Sequence, residues 1–187
     1  MGARWKKLGA VSGLLVCGIL LFHSSQARAQ GNEDAEYRVK LAFLYRFAQF
    51  VHWPTEAFHD PAQPLSICVV GPDPFKGEIA EALRGRTAGG HPVEIRSLKP
   101  GSNPRACHMI FFRASEKAAE ASILAAVKGS SILTVGETRN FAIRGGAINL
   151  TLKENMLNFE INLDVATQSR LEISSKLLAL AKIVQPE

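Results

Sequence analysis

The chain has 187 residues with 22 basic and 17 acidic side chains, and the charge is unevenly distributed. Residues 1–29 hold four of the basic residues and no acidic one, so residues 30–187 carry 18 basic and 17 acidic side chains. This near-neutral balance excludes a global attraction to nucleic acid, and no motif that reads RNA or DNA is present. The 158 residues from Gln30 onward are the size of one domain with one core.

The first 29 residues are typical of a secretory signal peptide. A basic leader precedes an apolar run over residues 8–22, and Ala27-Arg28-Ala29 is a small-x-small cleavage site. The run is shorter than the roughly twenty residues that span a bilayer, and no later segment is apolar over that length. We therefore expect cleavage near Ala29, export, and a mature chain, residues 30–187, that does not insert into the membrane. An uncleaved N-terminal anchor is the alternative.

The mature chain begins with a predicted helix and continues with alternating strands and helices. Residues 35–53 predict a helix that ends before Pro54 and is apolar on nearly every side, which is typical of a buried helix. The elements that follow are strand 65–70, helix 74–84, edge strand 92–98, strand 107–112, helix 115–128 and strand 131–136. Continuous apolar strands separated by helices predict a largely parallel sheet covered on both faces.

The pattern changes in the last quarter of the chain. Residues 146–164 form two alternating runs around Lys153-Glu154-Asn155, which predicts a β-hairpin. One hairpin face is apolar, and the other carries Asn149, Thr151, Asn158, Glu160, Asn162 and Asp164. Residues 171–184 predict a C-terminal helix capped by Ser174 or Ser175.

Residues 65–75, LSICVVGPDPF, have the strand-turn-helix order that opens many nucleotide-binding domains. A phosphate turn needs several glycines and free backbone amides, whereas Gly71 stands alone and two prolines remove two amides. The histidines lack paired ligand spacing, and neither GxSxG nor CxxC occurs. The sequence therefore predicts no cofactor and no metal site, and its residues give no positive support for an enzyme.

The mature chain has two cysteines, Cys68 in a predicted core strand and Cys107 at the start of another. Because the chain is exported to an oxidising compartment, two thiols favour a disulfide over a metal site or a redox pair. Such a bridge would be either a structural staple or a sensor of redox state. Free reactive thiols would instead indicate a thiol enzyme.

Five segments, in their order and spacing, carry a resemblance to a known family. They are VKLAFLYRFAQFVHWP (39–54), LSICVVGPDPF (65–75), CHMIFFRASE (107–116), ILTVGET (132–138) and residues 145–184. Together they resemble the YfiR-like periplasmic proteins, whose best-known members repress a membrane-bound diguanylate cyclase of the YfiN type. The likeness covers essentially all of the mature chain, so we expect residues 30–187 to form a single domain.

The resemblance implies a three-layer α/β fold: a mostly parallel sheet flanked by helices, with a C-terminal antiparallel hairpin. It also implies a periplasmic location and a disulfide between Cys68 and Cys107. The implied role is regulatory and not catalytic. The protein would bind the periplasmic domain of an inner-membrane diguanylate cyclase, keep cyclic-di-GMP and biofilm formation low, and release the cyclase under redox or envelope stress. The identity of the cyclase, a homodimer and a small ligand are left open.

Two sets of residues are candidate binding sites. For the partner we expect the polar hairpin face and its continuation, with ordinary solvated positions as the alternative. This set is Glu160, Asn162, Asp164 and Arg170. The alternative function is a small-ligand-binding or sensor protein that serves another membrane signalling partner, with its site at the carboxyl ends of the parallel strands. That set is Gly71, Asp73, Gly136 and Thr138.

Overall fold

A computed structural model describes residues 35–75, 81–153 and 156–185. The chain divides into two units, Met1–Tyr37 and Arg38–Glu187. Of the first unit only residues 35–37 are described, and they start a helix, α1, that spans residues 35–50. The predicted signal peptide lies outside the described residues. Within the described ranges, no helix has the length and apolar character needed to cross a bilayer.

The second unit contains the rest of α1 followed by strands and short helices. The strands are β1 (Val51–His52), β2 (Leu65–Val70), β3 (Thr87–Ala88), β4 (His91–Leu98), β5 (Met109–Phe112), β6 (Leu133–Gly136), β7 (Ile148–Lys153), β8 (Met156–Asn162), β9 (Glu172–Ile173) and β10 (Lys182–Val184). The helices are α2 (Lys117–Val127), α3 (Leu163–Gln168) and α4 (Ser175–Leu178), with 3-10 turns at Thr55–Ala57, Pro104–Ala106 and Ala114–Glu116.

Eight of these strands form one sheet in the order β10-β8-β7-β6-β5-β2-β4-β3. The pairs β10/β8, β7/β6, β6/β5, β5/β2 and β2/β4 are parallel. The pairs β7/β8 and β3/β4 are antiparallel. The predicted mostly parallel sheet with a C-terminal antiparallel hairpin is therefore confirmed. Strands β1 and β9 form a separate antiparallel pair.

Both faces of the central sheet are buried because helices cover each of them. On one face α1 packs against the hairpin, where the rings of Phe47 and Phe159 lie 5.2 Å apart. On the other face Ala119, Ile123 and Leu124 of α2 pack against a cluster of buried side chains. The cluster is Cys68, Val70, Leu98, Cys107, Ile110, Phe112, Val127, Ile132 and Phe141. Helix, sheet and helix make up the three layers that the resemblance implies.

The predicted C-terminal helix over residues 171–184 is wrong. This segment is instead divided among β9, α4 and β10, and Ser174 does cap α4 by accepting a hydrogen bond from the Lys176 amide. Strand β10 then pairs with β8, placing Ile183 beside Ile161. Backbone pairing along the edge of β8 outweighs the modest helix propensity of this short segment. Helix α1 is also shorter than predicted, because Val51 and His52 pair with β9.

The hairpin ends earlier than the sequence pattern predicts. Strand β8 stops at Asn162, and Leu163 and Asp164 belong to α3, so Asp164 is not on the strand face. The hairpin turn, residues 154–155, lies outside the described residues. Residues 76–80, five of the eleven residues of the predicted helix over residues 74–84, also lie outside the described residues.

Candidate functional site

The predicted bridge between Cys68 and Cys107 is present, with 5.9 Å between the two Cα atoms. Cys68 lies within β2, and Cys107 immediately precedes His108 and β5, the parallel neighbour of β2. Both cysteines are buried in the core beneath α2. The bridge therefore joins the centre of the sheet to the loop that enters β5.

Cys107 also lines an open groove of about 540 Å³, which we call the disulfide groove. Its wall includes the segment that leads into β5 and the segment that leads into β6. Its charged and titratable lining residues are Glu56, His59, Arg96, Arg105, His108 and Arg170. Within the described ranges, no group of three or more His, Cys, Asp or Glu side chains is placed to hold a metal ion.

The surroundings of His108, at the wall of this groove, favour its neutral form. Its Nδ1 atom accepts a hydrogen bond from the Ser66 amide at 3.1 Å, and its Nε2 atom lies 3.2 Å from the Ala57 carbonyl. The imidazole stacks on Phe58, with 4.3 Å between the ring centroids. Burial lowers the pKa of His108, and the nearby His91 and Arg96 lower it further, while the Ala57 carbonyl opposes them.

This arrangement predicts a pH-dependent stability. Because the pKa of His108 is lowered in the folded state, the unfolded chain binds the proton first as the pH falls. The contribution of His108 is fully present above the unfolded pKa of about 6.5 and is lost as the pH falls through the lower folded value. We expect urea unfolding midpoints to drop between pH 7.5 and pH 5.5, and His108→Gln to show a smaller drop. An equal drop in the two proteins would contradict this assignment.

The residues expected to bind a small ligand are occupied by intramolecular contacts. Asp73 accepts a hydrogen bond from the Phe75 amide at 2.8 Å. A Cβ atom at Gly71, which has a φ of +83°, would lie 2.6 Å from the Glu116 carboxyl group. A Cβ atom at Gly136 would overlap the Phe141 ring. Three of the expected positions therefore serve the turn and the core, and none of them lines the disulfide groove.

The fourth expected ligand residue, Thr138, belongs to a partly buried ionic cluster that the sequence did not predict, in which Thr138 and Glu120 are buried and Arg144 is partly exposed. Its hydroxyl donates to Glu120, and Arg144 donates to Glu120 at 2.7 Å and to Thr138 at 2.8 Å. Next to it in the chain, Glu137 pairs with Lys40 and accepts from the Ala114 amide at 2.7 Å. These ionic contacts fasten the loop after β6 to α1 and α2.

The four residues expected to bind the partner lie apart. Glu160 pairs with Lys182 of β10 at 2.8 Å. Asp164 lines a second groove of about 460 Å³ together with Arg144. Arg170 lines the disulfide groove and has a φ of +54°. These three members of the set therefore have different surroundings: an ion pair for Glu160, and one groove each for Asp164 and Arg170.

Asn162, the remaining member of that set, is fully buried. Its side chain donates to the Ala142 carbonyl at 2.8 Å and accepts from the Val165 amide at 3.1 Å. The second contact is the N-cap of α3. Because no part of this side chain reaches the surface, its role is structural and it does not belong to an exposed interface.

Removing the Asn162 side chain should be costly. Asn162→Ala leaves the Ala142 carbonyl unpaired and removes the cap of α3, so we expect a loss of about 3 kcal/mol in the free energy of unfolding. Asn158→Ala is the matched control, since Asn158 is exposed on the same strand and its side chain donates to the nearby Met156 carbonyl at 3.1 Å. Urea denaturation measures both variants. Equal losses would contradict the structural role of Asn162.

An exposed apolar surface lies at the β10 edge of the sheet. Strand β10 is the last strand, so one of its sides has no partner strand among the described residues. Leu180 is 76% exposed and Ile183 is 45% exposed, and Lys182, which precedes Ile183 in the strand, forms an ion pair with Glu160. We call Glu160, Leu180, Lys182 and Ile183 the edge surface.

Comparison with known proteins assigns the family. The sequence model of the YfiR/HmsC-like family matches residues 37–182. No curated protein matches the chain. A solved structure, the ABC domain in complex with L-Trp from Streptococcus pneumonia, is 9% identical, with a TM-score of 0.49 over 69% of this chain and 57% of that chain. The chain thus spans little more than half the length of that protein. Since the family match covers most of its residues, the chain belongs to the YfiR/HmsC-like family.

Proposed function

We propose that this protein is a periplasmic regulator that binds the periplasmic domain of an inner-membrane diguanylate cyclase and inhibits it. Inhibition would lower cyclic-di-GMP and biofilm formation. The observation that carries this proposal is the family match over residues 37–182, because the best-known YfiR-like proteins repress such a cyclase. The signal peptide, cleaved near Ala29, and a single mature domain, residues 30–187, are parts of the same proposal.

The edge surface is the contact that we propose for the cyclase. An open strand edge offers backbone groups to a partner, and a partner strand added there would extend the sheet. Leu180 and Ile183 supply the apolar anchors that a stable interface needs, and the Lys182 and Glu160 pair supplies its polar rim. Of the residues expected from the sequence, Glu160 stays in this proposal.

Release of the cyclase under redox stress would act through the stability of the domain. Three strands, β6, β7 and β8, separate β5 from β10, so the bridge does not touch the edge surface. Reduction would instead loosen the sheet that presents that surface. The disulfide is then both a staple and the part of the molecule that senses a reducing periplasm.

Gene deletion tests the inhibitory role in living cells. In a strain that carries the cognate cyclase, deletion should raise cellular cyclic-di-GMP and surface attachment, and a plasmid copy should restore both. A plasmid copy that lacks the signal peptide should not restore them, because the protein would then stay in the cytoplasm. Unchanged cyclic-di-GMP after deletion would contradict the proposal.

A second candidate function is a periplasmic small-ligand sensor that serves another membrane signalling partner. The two open grooves, of about 540 and 460 Å³, favour it because their sizes fall in the range of small-molecule sites. Capture of membrane proteins with the tagged mature chain distinguishes the two functions. Recovery of a diguanylate cyclase supports the first, and recovery of a different signalling protein supports the second.

A further inference from the structure

The disulfide groove concentrates positive charge in a mature chain that is otherwise nearly neutral. Three arginines from separate parts of the chain line it: Arg96 of β4, Arg105 of the loop before β5, and Arg170 after α3. Among the described residues that line the groove, Glu56 is the one acid. This local excess contrasts with the 18 basic and 17 acidic residues of the mature sequence.

Backbone carbonyls hold two of these guanidinium groups in place. Arg96 donates from Nη2 to the Ala106 carbonyl at 2.9 Å, and its Nε atom lies 3.1 Å from Glu94. Arg105 donates from Nε to the Ala126 carbonyl at 3.0 Å, and no carboxylate of the described chain lies within 4.0 Å of it. A guanidinium carries five N–H donors, so each group keeps donors for a further acceptor.

The third arginine is weakly engaged. Arg170 lies 3.9 Å from Glu56, and both side chains are more than half exposed. An exposed ion pair at this distance contributes little, so Arg170 is available to exchange Glu56 for a stronger acceptor. Its φ of +54° lies in the left-handed region, which few residues other than glycine adopt.

We infer that the disulfide groove binds a small anion that carries a phosphate or pyrophosphate group, with Arg96, Arg105 and Arg170 as its ligands. Guanidinium groups bind phosphate through paired N–H donors, and three of them match an anion with more than one negative charge. The groove volume of about 540 Å³ accommodates a phosphorylated small molecule. This inference does not depend on the proposed cyclase, because binding of the anion to the purified protein can be measured directly.

Isothermal titration of the oxidised mature protein with sodium pyrophosphate tests the inference. We expect saturable binding with one site per chain, weakened at least tenfold in Arg105→Gln and weakened further as salt is raised. Arg170→Asn is the second variant, because asparagine tolerates a positive φ and the side chain is exposed. Arg84→Gln is the matched control, since Arg84 is exposed and pairs with Glu81 away from the groove.

Binding that is equal in wild type, Arg105→Gln and Arg170→Asn would overturn the assignment, as would the absence of saturable binding to pyrophosphate, glycerol 3-phosphate and phosphatidylglycerol vesicles alike. Two further titrations identify the source of the phosphate. Binding of glycerol 3-phosphate would support a soluble ligand. Binding only to vesicles that contain phosphatidylglycerol, lost in the same variants, would support a lipid headgroup. Thermal unfolding of each variant shows that it is folded before binding is compared.

Discussion

Replacing both bridge cysteines, Cys68→Ala with Cys107→Ala, is expected to lower the free energy of unfolding by about 4 kcal/mol. The bridge joins residues 39 positions apart, and in the chain-entropy treatment a loop of about 40 residues restricts the unfolded chain by that amount. Both cysteines are buried beneath α2, so the variant also loses packing in the core. For a domain of this size the melting temperature should fall by about 10 °C.

Urea denaturation of the double alanine variant measures this loss, with reduced wild-type protein as the matched comparison. The two should unfold at similar urea concentrations, because both lack the bridge and retain the rest of the fold. A double variant that unfolds within 1 kcal/mol of the oxidised protein would show that the bridge is not a staple. Reduction of the disulfide would then not destabilise the domain, and release of the cyclase under redox stress could not act through stability.

The second large effect is expected at the edge surface. Leu180→Glu combined with Ile183→Thr should weaken binding to the periplasmic domain of the cyclase at least a hundredfold. Each apolar anchor at the centre of an interface contributes about 2 kcal/mol, and every 1.4 kcal/mol is a factor of ten in affinity. Because Leu180 is 76% exposed, its substitution should leave the folded domain intact.

Leu152→Glu is the matched control for this variant, since Leu152 is also apolar and 62% exposed. It lies at the far end of the hairpin from the residues that pair with β10. Biolayer interferometry with the immobilised periplasmic domain compares the two. If Leu152→Glu abolishes binding and the edge variant does not, the hairpin tip is the interface and the edge surface is not.

The strands of the central sheet could be predicted because the residues within each segment are sufficient to indicate a buried strand. Continuous β-branched and apolar runs such as residues 65–70 belong to strands buried on both faces, and the structure places β2 between β4 and β5. The alternation of residues 146–164 likewise indicates the hairpin. A bridge between the two cysteines could be predicted because residues 30–187 contain two cysteines and the chain has the features of an exported protein.

The C-terminal segment could not be predicted because a distant strand decides its structure. Leu177 and Leu178 suit a helix, and α4 does form there, but the edge of β8 recruits residues 182–184 as a strand. The polar face of the hairpin, which we expected to be solvated or to contact a partner, likewise depends on a distant segment. Asn149 is buried because the loop after β6 covers it, and its amide donates to the Gly136 and Thr138 carbonyls.

The disulfide groove also could not be predicted from the sequence. Arg96, Arg105 and Arg170 are separated along the chain, and the net charge near zero of residues 30–187 does not indicate that they lie close together. Only the parallel pairing of β4, β2 and β5, with the return of the chain after α3, brings them to one groove. The fold, and not the local sequence, therefore places these three arginines in one groove.

Inhibition of a cyclase by the purified protein is the most direct test of the proposed function. Membranes that contain a single inner-membrane diguanylate cyclase of the source organism, prepared so that the periplasmic domain is accessible, are supplied with GTP and the oxidised mature protein. With the cognate cyclase, cyclic-di-GMP synthesis should fall as the protein is added, and the edge variant should not cause that fall. Undiminished synthesis with every such cyclase, at protein concentrations that saturate binding, would contradict the account.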